Sequence, residues 1–359
     1  MNLTVDQLIG TYYIKYNRLQ GLIYNHYARS NANKISLIID MSKLLRSIAH
    51  GSVDYYDPVE VASLFINMGA HYRQFFRNLN VETEIYFVAS TINDSTNTIN
   101  KTWYKDYSLD KGKPYDANIK TVVDIMSLCS AIPNTYMLHT DMYESGVLIE
   151  TIIEESNNPV IILSKDDYLF QLVFSFVHTD SSSNIISRDV SLLYPIKNNG
   201  EDFSVIIGQG TKNYNDTLSF YLSVNKVNEK ITLGDNFSTQ ILLPIIMAAT
   251  KVPSRNIKSY IPANSILKFI KYMIDNNKYD LVLIGLKNFV EEYNKYTKGK
   301  KIDLFEFQYR YNAVSIFHQK NIATTSLPAF NPYNLYDVQG LKELNETYFK
   351  KYPLDLNAL

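Results

Sequence analysis

The sequence predicts an α/β protein with a central, mostly parallel sheet flanked by helices. Three short apolar runs point to it: KISLIID (34–40), EIYFVA (84–89) and VIIL (160–163). Each has the length and composition of a strand buried on both faces. Between them lie stretches with apolar residues at helical spacing, and strands alternating with such helices read as βαβ units. Two of the runs lead into carboxylates, Asp40 in one case and Asp166 with Asp167 in the other. In an open α/β sheet, the edge where strands end is where ligands bind.

In chain order, residues 5–29 place Leu8, Ile9, Tyr12, Leu19, Leu22 and Ile23 at helical spacing and predict a helix covering the sheet. MSKLLRSIAHG, after the first strand, opens a helix that closes at Gly51. Asp57 and Pro58 are the N-cap and first residue of an amphipathic helix over 58–79. Residues 90–118 are polar, with Lys101, Trp103, Tyr104, Lys105, Tyr107, Lys111 and Lys113 interleaved, and read as a long insertion or loop. A helix over 119–131, an edge strand over 133–139 and a helix over 142–156 follow, with Glu144 in the first turn of the last. Residues 173–235 read as β-rich and 236–297 as helical. Residues 300–359 are mixed, interrupted by Pro328, Pro332 and Pro353.

A chain of 359 residues buries a substantial core, and 46% hydrophobic against 20% charged residues excludes a disordered protein. The net charge of −1 gives no global basic field, so nucleic acid must be met by a local patch. A single cysteine, Cys129, excludes an internal disulfide and a cysteine-rich zinc site, and its apolar helical context marks a core thiol. The six histidines show no metal spacing; His71 and His139 sit in apolar context and read as structural. No secretory leader is visible, and no apolar run reaches the roughly 18 residues that span a bilayer, so an intracellular protein with no membrane association is expected. The 29 tyrosines, with abundant Asn, Ile and Lys, suit an AT-rich coding genome such as those of many phages and large DNA viruses. No glycine-rich phosphate loop, Gly-x-Ser-x-Gly elbow or His-Glu-x-x-His motif is present, which leaves ATPase, serine hydrolase and zinc protease readings without support.

If the strands ending at Asp40 and before Asp166 are neighbours, those two acids and Glu144 point into one cleft. Three hard oxygen ligands at a sheet edge suit Mg²⁺ or Mn²⁺ meeting a phosphate. A metal held there activates a water and stabilises the leaving oxygen of a phosphodiester. The competing reading is that a carboxylate after a strand caps the next helix.

The runs KISLIID, EIYFVAS, YESG and VIILSKDDYLFQL together resemble the PIN-like superfamily, in its flap-endonuclease and 5′–3′ exonuclease branch. The resemblance covers residues 34–172, and 164–172 is its most specific part. In that family a first strand ends in Asp, matched by Asp40. A Glu opens a helix in a Glu-Ala-Asp-Asp motif, matched by Glu144. A strand is followed by Ser-Gly-Asp-x-Asp and a Gln-Leu pair, matched by Ser164, Lys165, Asp166, Gln171 and Leu172. The resemblance implies a PIN-like fold with a β-rich insertion and a helix-turn-helix-like C-terminal region. Its expected bounds are a nuclease core over 1–180, the insertion over 181–235, a nucleic-acid-binding-like helical region over 236–300 and a C-terminal extension over 301–359. It also implies metal ligands at Asp40, Glu144, Asp166 and Asp167, the first three being catalytic. Phosphate contacts are implied at Lys43, Arg46, Lys101, Lys105, Lys165, Lys251, Arg255 and Lys258, the last three in AATKVPSRNIKSYIPANSILKFI (248–270).

The chain departs from the family's pattern at several points. Gly146 and Val147 stand where two aspartates follow the Glu, Tyr168 stands for the second Asp of the Asp-x-Asp pair, and Ser90 stands at the end of EIYFVA, with Asp94 as a shifted substitute. The family's glycine-rich turn is absent from 248–270. Second-metal ligands are therefore largely missing, which leaves two alternatives: one metal held by Asp40, Glu144 and Asp166 with help from Asp141 or Asp167, or a degenerate site that binds no metal. The leading expectation is a metal-dependent 5′–3′ exonuclease or flap-endonuclease-like protein acting on DNA, less so RNA, in replication or repair. The alternative is an inactive pseudo-nuclease serving as a structural or interaction subunit with viral protein partners.

Overall fold

The computed structural model describes residues 33–47, 56–91, 98–108, 117–179, 185–196, 202–207, 221–222, 239–278, 285–322 and 338–357. The helix expected over 5–29, Asp94, Lys111, Lys113 and most of 208–238 lie outside them.

The apolar runs form strands as their composition requires. These are β1 (Lys34–Asp40), β2 (Glu82–Ser90), β3 (Thr135–Thr140), β4 (Val160–Leu163), β5 (Phe174–Thr179), β6 (Ile185–Ile196) and β7 (Asp202–Ile207). They make one sheet in the order β3-β2-β1-β4-β6-β5, with β7 paired to β6. The five strands β3, β2, β1, β4 and β6 are parallel. β5 and β7 run antiparallel to β6. Residues 190–193 of β6 pair directly with β4, so part of the stretch expected as an insertion belongs to the central sheet. The chain winds outward from β1 through β2 to β3, then crosses back to β4 on the other side of β1. That reversal makes the carboxyl ends of β1 and β4 the switch point of the sheet.

Helices cover both faces: α1 (Ser42–Ser47), α2 (Pro58–Arg77), α3 (Thr98–Trp103), α4 (Ala117–Ser127), α5 (Ser145–Glu155), α6 (Thr239–Ala249), α7 (Ala263–Asp275), α8 (Leu286–Tyr296), α9 (Leu304–Val314), α10 (Ile316–Ile322) and α11 (Val338–Tyr348). Among the described residues, no helix is long and apolar enough to cross a membrane. α2 starts where expected: Asp57 accepts from the Val59 amide at 3.0 Å and Pro58 takes the first turn, where its missing N–H is no loss. Its close approach to the sheet needs Gly69, because a Cβ there would lie 2.8 Å from Phe87 Cζ.

The two-residue period of the strands divides the core. Ile35, Leu37 and Ile39 of β1, Ile85 and Phe87 of β2, and Ile161 and Leu163 of β4 pack against α2, α4 and the C-terminal segment through Leu344 and Phe349. Ile38, Tyr86, Val88, Val160 and Ile162 face the other way, against α5, α6, α7 and α9. Each fully buried aliphatic or aromatic side chain contributes about 1.5–3 kcal/mol. The same alternation sets Asp40, Ser90 and Ser164 on the second face, beneath α5 and α6. Cys129 is buried among the residues packed with α2 and α4, as its context implied.

Candidate functional site: a guanidinium among carboxylates

Asp40 ends β1 and is fully buried. Its Oδ1 accepts from the Ser42 amide at 3.1 Å, and its Oδ2 accepts from Ser164 Oγ at 2.7 Å. Ser164 Oγ in turn accepts from the Asp166 amide at 3.0 Å, so one hydroxyl links the ends of two adjacent strands. Asp166 caps the 3-10 turn Asp167–Leu172 by accepting from the Tyr168 amide at 3.1 Å. Both strand-end acids therefore serve as local caps. Glu144 is the N-cap residue of α5 but makes no side-chain cap bond, so its carboxylate is free to reach inward.

Arg255 receives it. Residues Pro253–Arg255 form a one-turn 3-10 helix closed by a bridge between Val252 and Ile257, with Asn256 left-handed at φ 53°. This tight turn drives Arg255 into the protein, leaving it 2% exposed. Arg255 Nη1 donates to Asp166 Oδ1 at 3.0 Å, and Nη2 donates to Asp166 Oδ2 at 2.7 Å and to Glu144 Oε2 at 2.6 Å. A bidentate fork of this kind is among the stronger ion-pair geometries. The guanidinium carbon also lies 4.3 Å from the centre of the Tyr168 ring, a cation–π contact shielded from water. Arg255 Nε is buried without a partner among the described residues.

A roof closes over the pair. Tyr107 donates its hydroxyl to Glu144 Oε1, and Asn100 Nδ2 donates to the same oxygen at 3.2 Å. The Ser108 amide donates to the Arg255 carbonyl at 3.2 Å, Asn256 Nδ2 donates to the Asp106 carbonyl at 2.9 Å, and Lys258 pairs with Asp106 at 3.1 Å. Residues 104–108 and 252–258 are thus sewn together across the acids.

Burial works to raise Asp166, but the Arg255 guanidinium, with Lys43 and Arg46, outweighs it and holds the carboxyl below its ordinary value. Burial also raises Glu144, against the opposing charges of Arg255 and Arg46. Asp40 is raised by burial and by the charge of Asp166, against the hydroxyl of Ser164. For Arg255, burial disfavours the charge, yet Asp166 and Glu144 lift its pKa well above the ordinary value. The guanidinium is therefore permanently charged at the centre of the cluster.

Of the acids expected to hold Mg²⁺ or Mn²⁺, Glu144 and Asp166 meet at this guanidinium, and Asp40 is joined to Asp166 through Ser164. Each carboxylate oxygen of Asp40, Glu144 and Asp166 already accepts a hydrogen bond. Asp167 accepts from Ser254 Oγ at 3.2 Å. Among the described residues, no three His, Cys, Asp or Glu side chains are arranged to hold a metal ion. A divalent ion would need these oxygens at about 2.1 Å from a common point, and those of Glu144 and Asp166 are engaged by Arg255 instead. The donor set does not fit the metal in this arrangement. Asp141 is exposed.

The expected phosphate contacts divide. Lys105, Lys251 and Lys258 are exposed, and Lys43, Lys101 and Lys165 are half-buried. Arg46 is buried and directed electrostatically at Glu144 and Asp166. Arg255 is a correction: expected on the surface against a phosphate, it is the buried partner of the acids. Tyr107, expected in a strand-gripping surface, is buried against Glu144.

The departures acquire partners. Tyr168 supplies the ring under Arg255 where a second Asp would repel the first. Gly146 leaves room for α10, since a Cβ there would lie 3.0 Å from Ile316 Cδ1 and 3.3 Å from Leu169 Cδ2. Val147 is fully buried. Ser90 Oγ donates to the Tyr143 carbonyl at 2.6 Å, anchoring the residue before Glu144. Gln171 Nε2 donates to the Val314 carbonyl at 3.0 Å and ties the 3-10 turn to α9. Sequence reasoning missed Arg255, Tyr168, Asn100 and Tyr107 as members of one cluster. The available signal was paired: a tyrosine in place of an acid, and one arginine in an otherwise lysine-bearing turn.

No family model matches the sequence, and no curated protein matches it either. Among solved structures, the fold is similar to the flap endonuclease of bacteriophage T5, crystallised as a pseudo-enzyme–product complex with DNA and metal ions. The TM-score is 0.42 at 11% identity, covering 90% of this chain and 98% of that one. A mutant T5 5′-exonuclease gives a TM-score of 0.41 at 10% identity over 88% of this chain and 97% of that one. The catalytic core of Rad2 in complex with DNA substrate gives 0.42 at 10% identity over 88% and 87%.

Proposed function

We propose that this chain is a nuclease-fold protein that binds DNA at the carboxyl edge of its sheet without hydrolysing it through a divalent metal. The single observation that carries this reading is the Arg255 guanidinium, bonded to Asp166 and Glu144, two of the acids a metal would need. In this account Arg255 neutralises the acids, Tyr168 shields the pair, and Tyr107 and Asn100 fix Glu144. Such a protein serves as a binding or interaction subunit, with a viral replication, transcription or virion complex as the proposed setting.

The convergence of Asp40, Glu144 and Asp166 at the switch point favours a second reading, a Mg²⁺- or Mn²⁺-dependent 5′–3′ exonuclease or flap endonuclease. It requires the 252–257 turn to withdraw Arg255 first. Incubating the full chain with 5′-flap and duplex DNA in Mg²⁺ and in Mn²⁺ separates the two. The first reading predicts a gel shift without cleavage. Metal-dependent cleavage abolished by Asp166→Asn would establish the second.

A further inference from the structure

We infer that an aromatic platform built by α3 and α9, outside the acidic cluster, is a stacking surface for single-stranded nucleic acid. This rests on the nucleic-acid-binding part of the proposed function and assigns it a place. Phe305 and Tyr309 lie four residues apart on α9, hence on one face of the helix, and are 74% and 48% exposed. Trp103, at the end of α3, lies beside Tyr309 with ring centroids 5.9 Å apart and planes 33° from parallel. That spacing is too small to admit a base between the two rings, so bases would lie on their open faces.

Behind the platform is a rigid post. Arg310 is buried and donates to the carbonyls of Ala248, at 2.6 Å, and of Lys258. Its guanidinium lies over the rings of Tyr104, at 5.3 Å, and Tyr260, at 5.1 Å. Lys300 caps the far side of Tyr260, with Nζ 4.0 Å from the ring centre. Tyr104 is thereby fixed one residue from Trp103, and Arg310 is fixed one residue from Tyr309.

The composition of the patch selects its occupant. The exposed large hydrophobics of α9 are Phe305 and Tyr309, both aromatic. A surface for a protein helix would carry aliphatic anchors; rings without aliphatics suit flat bases. Lys105, two residues after Trp103, and Lys301, four before Phe305, are exposed and supply charge for the backbone. Of the nearby acids, Asp303 accepts from the Glu306 amide at 2.8 Å as the cap of α9 and Asp106 pairs with Lys258, while Glu306 is exposed beside Phe305.

The chain's single tryptophan makes the test direct. Trp103 emission is followed while the full chain is titrated with an oligothymidine, alongside the Phe305→Ala/Tyr309→Ala double variant checked for folding by circular dichroism. Wild type should bind with Trp103 quenched, and the double variant should bind about five- to a hundred-fold more weakly per ring removed. Lys105→Ala/Lys301→Ala should lower the salt dependence by roughly 0.7 per lysine. Unchanged affinity in the double variant, or binding without quenching, would overturn the platform and leave nucleic-acid binding standing. No binding by wild type, as for a platform serving a protein, would overturn both.

Discussion

A buried arginine between two acids is strongly held only while all three groups remain. Removing Arg255 leaves Asp166 and Glu144 as buried, uncompensated charges. Arg255→Ala is expected to cost about 3–5 kcal/mol, measured by urea denaturation. Arg255→Lys should recover little of this, because an ammonium cannot form the two-pronged contact with Asp166 while still reaching Glu144. Tyr107→Phe removes one donor from Glu144 Oε1 and should cost about 1–3 kcal/mol, with Asn100 remaining to that oxygen. A loss no larger than that of an exposed control in all three variants would mean that the cluster is not a buried ionic unit.

Two elements set the geometry these side chains need. The turn Val252–Ile257 aims Arg255 inward, and it does so through the left-handed backbone of Asn256. Asn256→Ala should destabilise by about 1–2 kcal/mol, whereas Asn256→Gly, which keeps the backbone conformation, should lose less despite the missing bond to Asp106. On the opposite face, α2 lies against β2 at Gly69. Gly69→Ala places a methyl 2.8 Å from Phe87 Cζ and should cost about 1–3 kcal/mol in thermal denaturation. These two substitutions are independent in space, and their effects should add.

At the scale of the molecule, the acids give stability a specific pH dependence. Asp166, held below its ordinary value, contributes stability that is full above about pH 4 and is lost as pH falls through its lower folded value. Asp40 and Glu144, raised by burial, act with the opposite sign. Their contribution is full below the ordinary carboxylate value and is lost as pH rises through their folded values. Acidifying from neutrality should therefore raise the Tm first and lower it afterwards. Asp166→Asn should be less stable at neutral pH and lack the acid-side fall. A Tm that declines from neutrality without a rise would contradict these assignments.

Much of this architecture is legible in the sequence, because strands buried on both faces leave unbroken apolar runs. KISLIID, EIYFVA and VIIL carry the parallel sheet, and Asp57-Pro58 marks the start of α2. The assembly of Asp40, Glu144 and Asp166 near one rim was also readable, since strand ends place side chains by topology. What lies in the centre of that rim was not. Whether Arg255 faces solvent or the acids depends on a turn of six residues and on a tyrosine 87 positions earlier, a non-local pairing that leaves no periodic trace. The register of β6 on β4 is set by tertiary pairing, which the β-rich composition of 173–235 does not carry.

The most direct test of the account is calorimetric titration of Mn²⁺ into the full-length wild-type chain and into Arg255→Ala, at neutral pH. Wild type should show no binding heat, because its acids are already neutralised from within the chain. A single Mn²⁺ site in wild type that disappears in Asp166→Asn would contradict it.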